Sequence, residues 1–243
     1  RVLTTRLLYL VDVLGYHPSR LCAITFTNKA AKEMKERLEP YGIANRAHIS
    51  TIHSLCVRVL REEYAACNLP RYFTIIDNSD QQTILRSAYR YHDLDAKSYP
   101  MRDVIHYIST QKSQFILPED AKKKAFGEEE RLKAELYAYY ESSKEKQGAL
   151  DFDDILLEVY YLFERDPVVL EKWQKKFDVL CVDEFQDVDH IQYRIIRDLV
   201  GSENELYVVG DPDQTIYTWR GADVRFIMNF PQYFPDAETI FLT

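Results

Sequence analysis

Leu3, Leu7, Leu10, Val11 and Leu14 recur at helical spacing from the first residues of the chain, which predicts a helix that opens without a capping residue or a preceding turn. The apolar run Leu21-Cys-Ala-Ile-Thr-Phe26 then reads as a buried strand, and Asn28 to Leu38 as a helix with Ala30, Met34 and Leu38 on one face. A second short strand around His48–Ser50 leads into a helix whose Ile52, Leu55, Cys56, Val59 and Leu60 form an apolar stripe. Phe73-Thr-Ile-Ile76 is a further strand candidate. Beyond it, residues 78–150 carry helical periodicity rich in Tyr, Gln and charge, with no strand-like run. Strands return at Val179–Val182 and Leu206–Val209, separated by a helix bearing Val188, Ile191, Ile195 and Leu199, and Glu238-Thr-Ile-Phe-Leu242 predicts one more at the end.

Alternating buried strands and helices imply an α/β fold, a parallel sheet covered on both faces. The predicted organisation is a first part of that domain at 1–77, an inserted helical lobe at 78–150, and a second part at 151–243. In such sheets ligands collect at the carboxyl ends of the strands. Two of the predicted strands end in acids there, Asp183-Glu184 and Gly210-Asp211.

Composition changes this picture in one respect. The net charge of −8 argues against a simple basic nucleic-acid-binding domain, but the distribution is uneven. Residues 1–77 carry +4, residues 78–150 are neutral and residues 151–243 carry −12. A mildly basic front and a carboxylate-rich rear suit a protein that holds a polyanion at one place and a divalent metal at another, although an acidic soluble enzyme shares the pattern. Cys22, Cys56, Cys67 and Cys181 show no C-x-x-C spacing and read as buried thiols of a reducing cytoplasm. No stretch approaches the roughly 20 apolar residues of a membrane span, so the expectation is a soluble protein.

The sharpest chemical signal is Asp183-Glu-Phe-Gln-Asp187 directly after an apolar run. A strand-end Asp can hold Mg²⁺, and a neighbouring Glu can orient and deprotonate the water that attacks a γ-phosphate. Asp-Glu pairs also serve as solvated turns; Gln186-Asp187 and a second segment weigh against that reading. The second segment is Gly210-Asp-Pro-Asp-Gln-Thr-Ile-Tyr-Thr-Trp-Arg-Gly-Ala222. Gly210 permits a close turn, and the Gln214 amide can donate to a phosphate oxygen and change partners after hydrolysis. Tyr217 and Trp219 beside Arg220 offer flat surfaces and a cation to a base and its phosphate; stacking of about 1–3 kcal/mol per base tolerates any sequence. A Tyr-x-Trp pair alone is more often core than ligand.

Two further segments complete a pattern, Ile24-Thr-Phe-Thr-Asn-Lys-Ala-Ala31 and Ser50-Thr-Ile-His-Ser54. In chain order the four segments resemble motifs Ia, Ib, II and III of the UvrD/Rep/PcrA family of superfamily 1 DNA helicases. Leu150-Asp-Phe-Asp-Asp-Ile155 is similar to the family segment where the chain returns from the inserted lobe. The resemblance runs along essentially the whole chain and implies a truncated P-loop NTPase fold of the RecA-like type. It also implies ATP and Mg²⁺ as cofactors, and single-stranded and partly duplex DNA as partners, with translocation 3′ to 5′ in the cytoplasm of a bacterium, for DNA repair or replication. By the same resemblance Phe26 stacks on a base, and Thr25, Asn28 and Lys29 lie along the phosphate backbone near a helix start. Thr51 and His53 make further strand contacts, and Arg1 packs against the adenine. Phe26 as a core residue and His53 as a structural one remain the plain alternatives.

The departures also carry expectations. No Gly-x-x-x-x-Gly-Lys-Ser/Thr occurs in the sequence, and the arginine-bearing motifs of a second motor domain are absent. The chain is therefore expected to be the front of a motor cut at both ends and inactive alone. Two rivals stand beside the helicase reading: the motor part of an AddA-like or RecB-like helicase-nuclease, and a non-catalytic nucleic-acid-binding module. The sequence leaves protein partners, oligomeric state and the choice of RNA over DNA open.

Overall fold

A computed structural model describes residues 2–215 and 221–241. The chain forms two compact units: residues 1–55 with 163–243, and residues 56–162. The second is wider than the 78–150 segment of helical periodicity, because α3 (Ile52–Glu62) and α8 (Phe152–Arg165) each begin in one unit and end in the other.

The first unit is an α/β layer of RecA-like type. Its strands are β1 (Leu21–Thr25), β2 (His48–Thr51), β5 (Val179–Val182) and β6 (Glu205–Val208), all parallel in the order β2-β1-β5-β6. The continuous apolar runs of β1 and β5 have their reason here: every residue of both is buried, so both faces of the central strands are covered. One face packs Leu21, Ala23, Val179 and Cys181 against Leu3, Leu7 and Leu10 of α1 (Val2–Asp12) and Ala31, Met34 and Leu38 of α2 (Asn28–Leu38). Leu7 is fully buried in that layer, and its truncation to Ala removes about 2–5 kcal/mol of packing. The helices α9 (Pro167–Gln174) and α10 (His190–Leu199) follow, with α10 burying Ile191, Ile195, Ile196 and Leu199. At the edge, β6 is only partly buried. All four cysteines are buried, and burial pushes the Cys181 thiol up to about 12.

Three expectations change. In α2 the buried alanine is Ala31, with Ala30 half-buried, and beyond α1 Leu14 is exposed. Residues 238–241 form no strand, and Ile240 and Phe241 are exposed. An apolar run becomes a strand only where a ladder partner takes its N–H and C=O groups, and none pairs with it among the described residues.

The second unit is helical: α4 (Asn78–Tyr91), α5 (Met101–Ser113), α6 (Pro118–Lys124) and α7 (Gly127–Gln147). They enclose Leu85, Ala88, Val104, Ile108, Ala134, Tyr137 and Tyr140. Asp77 starts α4 with a reciprocal capping box through Asp80. Gly148 ends α7 at φ 57°, a left-handed cap that also leaves room for Pro70, whose Cγ lies 2.8 Å from where a Cβ would sit. The run at Phe73–Ile76 does yield a strand, β3 (Thr74–Ile75), but it pairs with β4 (Ala149–Leu150) in a separate two-stranded parallel ladder. That ladder lies at the two ends of the helical segment.

Candidate functional site

The carboxyl ends of the four parallel strands carry most of the polar residues singled out above. At the end of β1, Thr25 is buried, and its hydroxyl donates to the Thr27 carbonyl at 3.0 Å. Thr27 in turn caps α2 by accepting from the Ala30 N–H at 3.1 Å. Phe26 is half-buried, and Asn28 and Lys29 are exposed in the first turn of α2. Opposite Thr25 in the ladder stands Thr51 of β2. It is also buried, and its hydroxyl accepts from the Ser54 N–H at 3.2 Å while meeting the Ser54 hydroxyl at 3.0 Å, so it caps α3. His53, in the first turn of α3, is half-buried. The two threonine hydroxyls are thus committed to building helix starts, which the sequence pattern had not indicated.

The second group lies at β5 and β6. The Asp183 N–H donates to the Ile24 carbonyl at 2.9 Å and extends the ladder by one residue. Glu184 then takes a left-handed conformation, φ 50° and ψ 44°, and is exposed. Such a backbone costs a non-glycine residue about 1–2 kcal/mol, and it is held by bonds on either side, including the Phe185 N–H on the Val209 carbonyl at 3.0 Å. Burial, and then the adjacent Glu184 carboxylate, push the Asp183 carboxyl above its ordinary range. Among the described residues no side-chain cation pairs with Asp183 or Glu184.

The segment after β6 is tied to this turn. Gln186, 1% exposed, receives the Asp211 N–H on Oε1 at 3.1 Å and donates from Nε2 to Glu184 Oε2 at 2.6 Å. Asp211 caps the 3₁₀ turn Pro212–Gln214 through the Asp213 N–H at 3.0 Å and accepts from Gln214 Nε2 at 2.7 Å. Glu184, Gln186, Asp211 and Gln214 therefore form one unbroken hydrogen-bonded chain. Gly210 serves close approach: a Cβ there would lie 2.6 Å from Gln186 Oε1 and 2.6 Å from Ile227 Cδ1. The far end of the segment is anchored by the Asp223 N–H on the Val188 carbonyl at 3.1 Å. Tyr217, Trp219 and Arg220, like Arg1, lie outside the described residues.

A profile of the UvrD/REP helicase N-terminal domain matches residues 1–235. The chain belongs to that family. It is 42% identical over 245 aligned residues to the ATP-dependent DNA helicase PcrA of Staphylococcus aureus strain Mu50, covering 100% of this chain and 33% of the relative. It is also 42% identical to the PcrA helicase of Staphylococcus epidermidis strain RP62A, covering 100% of this chain and 34% of the relative. The chain thus spans about a third of the length of the curated relatives it matches. Among the described residues no helix is long and apolar enough to cross a membrane.

The donor set at the carboxyl end of β5 fits a divalent cation. Two carboxylates stand side by side at a strand end, no side-chain cation among the described residues compensates them, and the Asp183 carboxyl is pushed toward neutrality in their company. The tightest carboxylate triple among the described residues lies elsewhere. Glu141, Asp151 and Asp154 belong to the helical unit. Lys112 and Lys144 already fill that site: the Lys112 ammonium lies 2.6 Å from Asp151 and 2.6 Å from Asp154, and the Lys144 ammonium contacts the same two aspartates. The two ammonium groups occupy the space among the three carboxylates and leave a metal no place. Sequence reading missed this cluster and the linking role of Gln186. The signal for the first was present, since Lys112 continues the buried stripe Val104, Ile108.

Proposed function

We propose that this chain is the front part of the motor of an ATP-dependent DNA helicase that moves 3′ to 5′ along single-stranded DNA and unwinds duplex. The observation that carries the reading is the hydrogen-bonded chain from Glu184 through Gln186 and Asp211 to Gln214, set beside the Asp183 and Glu184 carboxylates, which pair with no side-chain cation among the described residues. Asp183 holds Mg²⁺, which when bound neutralises phosphate charge and polarises the γ-phosphoryl group. Glu184 orients the attacking water and accepts its proton, and the Gln214 amide turns from Asp211 to a γ-phosphate oxygen and back as that group comes and goes. Arg1 contributes to the adenine pocket.

The neighbouring strand ends supply the nucleic-acid track. Exposed Asn28 and Lys29 meet phosphates at the start of α2, Phe26 packs against a base, and Thr25, Thr51 and His53 set the turns that present these groups. Tyr217, Trp219 and Arg220 follow directly on the Gln214 segment, so a change at the phosphate is passed along the backbone to the stacking residues. The helical segment at 78–150 is an insertion between the two halves of the motor domain, and a second motor domain of the same protein closes over the nucleotide.

The test is Glu184→Gln in the intact protein. DNA-stimulated ATP hydrolysis falls by about 100-fold or more, the range of a lost general base, while ATP binding persists; unchanged turnover would refute the assignment. The chain alone, with no Gly-x-x-x-x-Gly-Lys-Ser/Thr, binds ATP weakly and does not turn it over. Trp219→Ala weakens single-strand binding more than nucleotide binding, and equal loss of both would point to a core role.

A further inference from the structure

We propose that Gln186 is a positioning residue that locks the Glu184 carboxylate to the backbone of the Gln214 turn, so that the base and the phosphate-sensing amide move as one body. The inference rests on the hydrolytic role given to Glu184 above. An exposed glutamate on a left-handed backbone has freedom at every side-chain torsion, and one held oxygen removes most of it. Gln186 is the only side chain that the structure places on a Glu184 oxygen among the described residues, at 2.6 Å.

The orientation of the Gln186 amide follows from its partners. Its oxygen faces the Asp211 N–H and its nitrogen faces a carboxylate; turned over, it would set N–H against N–H and oxygen against oxygen. Its burial leaves no solvent to satisfy either end in another way. The missing side chain at Gly210 has its reason here too, because a Cβ would strike Gln186 Oε1 at 2.6 Å. The strand exit is thus pressed directly on the amide. A shift of the Asp211–Gln214 turn moves Oε1, and the rigid amide carries the shift to Glu184.

The experiment compares four variants of the intact protein, Glu184→Gln, Gln186→Met, Gln186→Glu and Gly210→Ala, by steady-state ATP hydrolysis with single-stranded DNA, across pH. For Gln186→Met we expect kcat to fall by roughly 10- to 100-fold, the scale on which a misplaced catalytic group costs rate, with KM for ATP nearly unchanged. Gly210→Ala, which keeps the amide and displaces it, loses kcat in the same sense. Gln186→Glu sets a second carboxylate against Glu184, so the acid limb of its kcat profile moves to higher pH. A merely structural plug would instead lower Tm, move KM and kcat together and leave the pH profile in place, and that result overturns the proposal. So does wild-type kcat in Gln186→Met while Glu184→Gln is inactive. Full activity of Glu184→Gln defeats the hydrolytic reading itself, and the two failures are thereby told apart. If Gln186→Met does not fold, Gly210→Ala and Gln186→Glu decide by the same split of kcat against KM.

Discussion

Each compact unit gathers carboxylates, and the two gatherings have opposite electrostatics. In the helical unit, Glu141, Asp151 and Asp154 enclose the ammonium groups of Lys112 and Lys144, each 2% exposed, and the Tyr140 hydroxyl donates to Asp151 at 2.9 Å. Asp151 and Asp154 also exchange backbone N–H bonds at 2.9 Å, which starts α8. Burial pushes Asp151 upward, but the Lys112 and Lys144 charges outweigh it and hold that carboxyl well below the usual range. In the α/β unit, Asp183 is pushed the other way, by burial and by Glu184. Dense acidity is therefore a poor guide to a metal or catalytic site. The assembly filled by its own lysines serves the fold, and the one without a side-chain cation among the described residues is the one to which we assign the chemistry.

The largest test of this contrast removes one cation. Lys112→Ala leaves Asp151 and Asp154 buried beside a single lysine, and loss of one partner from a buried ion cluster costs about 3–5 kcal/mol. Hydrogen exchange on the intact protein is expected to show protection lost across residues 56–162 and kept in β1 and β5. Protection unchanged in α5, α7 and α8 would mean that the cluster adds nothing to the fold. Glu184→Gln in the other unit leaves protection everywhere intact. Next in size is Tyr140→Phe, which removes a hydrogen bond to a charged group and costs about 1.5–3 kcal/mol, read as a lower urea midpoint at constant m.

The same contrast marks what could be read in advance. Strand β5 coincides with its apolar run because that run is only four residues long and bounded by polar ones, the pattern of a parallel strand covered on both faces. The placement of Asp183 and Glu184 at its end followed directly. The cluster around Lys112 was harder, since a lysine on an apolar stripe has no meaning until the elements that bring its counterions are folded beside it. Its partners lie 39 and 42 residues away. Gln186 was hidden for the same reason: its two hydrogen bonds link separate strands. The run at Glu238–Leu242 erred the other way, because local pattern cannot show whether a ladder partner exists.

Acid sharpens the comparison further. A carboxyl held low in the folded state contributes stability above its unfolded pKa of about 3.9, and that stability is lost as pH falls through the folded value. Asp151 is such a group, so acid is expected to open the helical unit through this cluster, with Asp151→Asn less stable at neutral pH and flatter on the acid side. Glu141 has the opposite sign: burial raises it against the pull of Lys112, so its contribution is lost as pH rises. Glu141→Gln should therefore gain stability relative to the native chain on the alkaline side, followed by urea denaturation at several pH values.

The smallest effect belongs to Asp183, and its sign separates the two units. A carboxyl raised by folding binds its proton more tightly in the folded chain. Its contribution is intact below the ordinary aspartate pKa and is lost as pH rises through the folded value. Asp183→Asn removes the charge that burial and Glu184 disfavour. Its Tm should match the native protein in acid and rise slightly above it near neutral pH, whereas any loss from the Lys112 cluster lowers Tm there. Mg²⁺ alone supplies the converse: a cation that binds only the folded carboxylates stabilises in proportion to its occupancy, so millimolar Mg²⁺ should raise the native Tm and leave Asp183→Asn unmoved. A loss of stability in Asp183→Asn at neutral pH would show that Asp183 is a satisfied structural carboxylate like Asp151, and the distinction between the two acidic sites would fail.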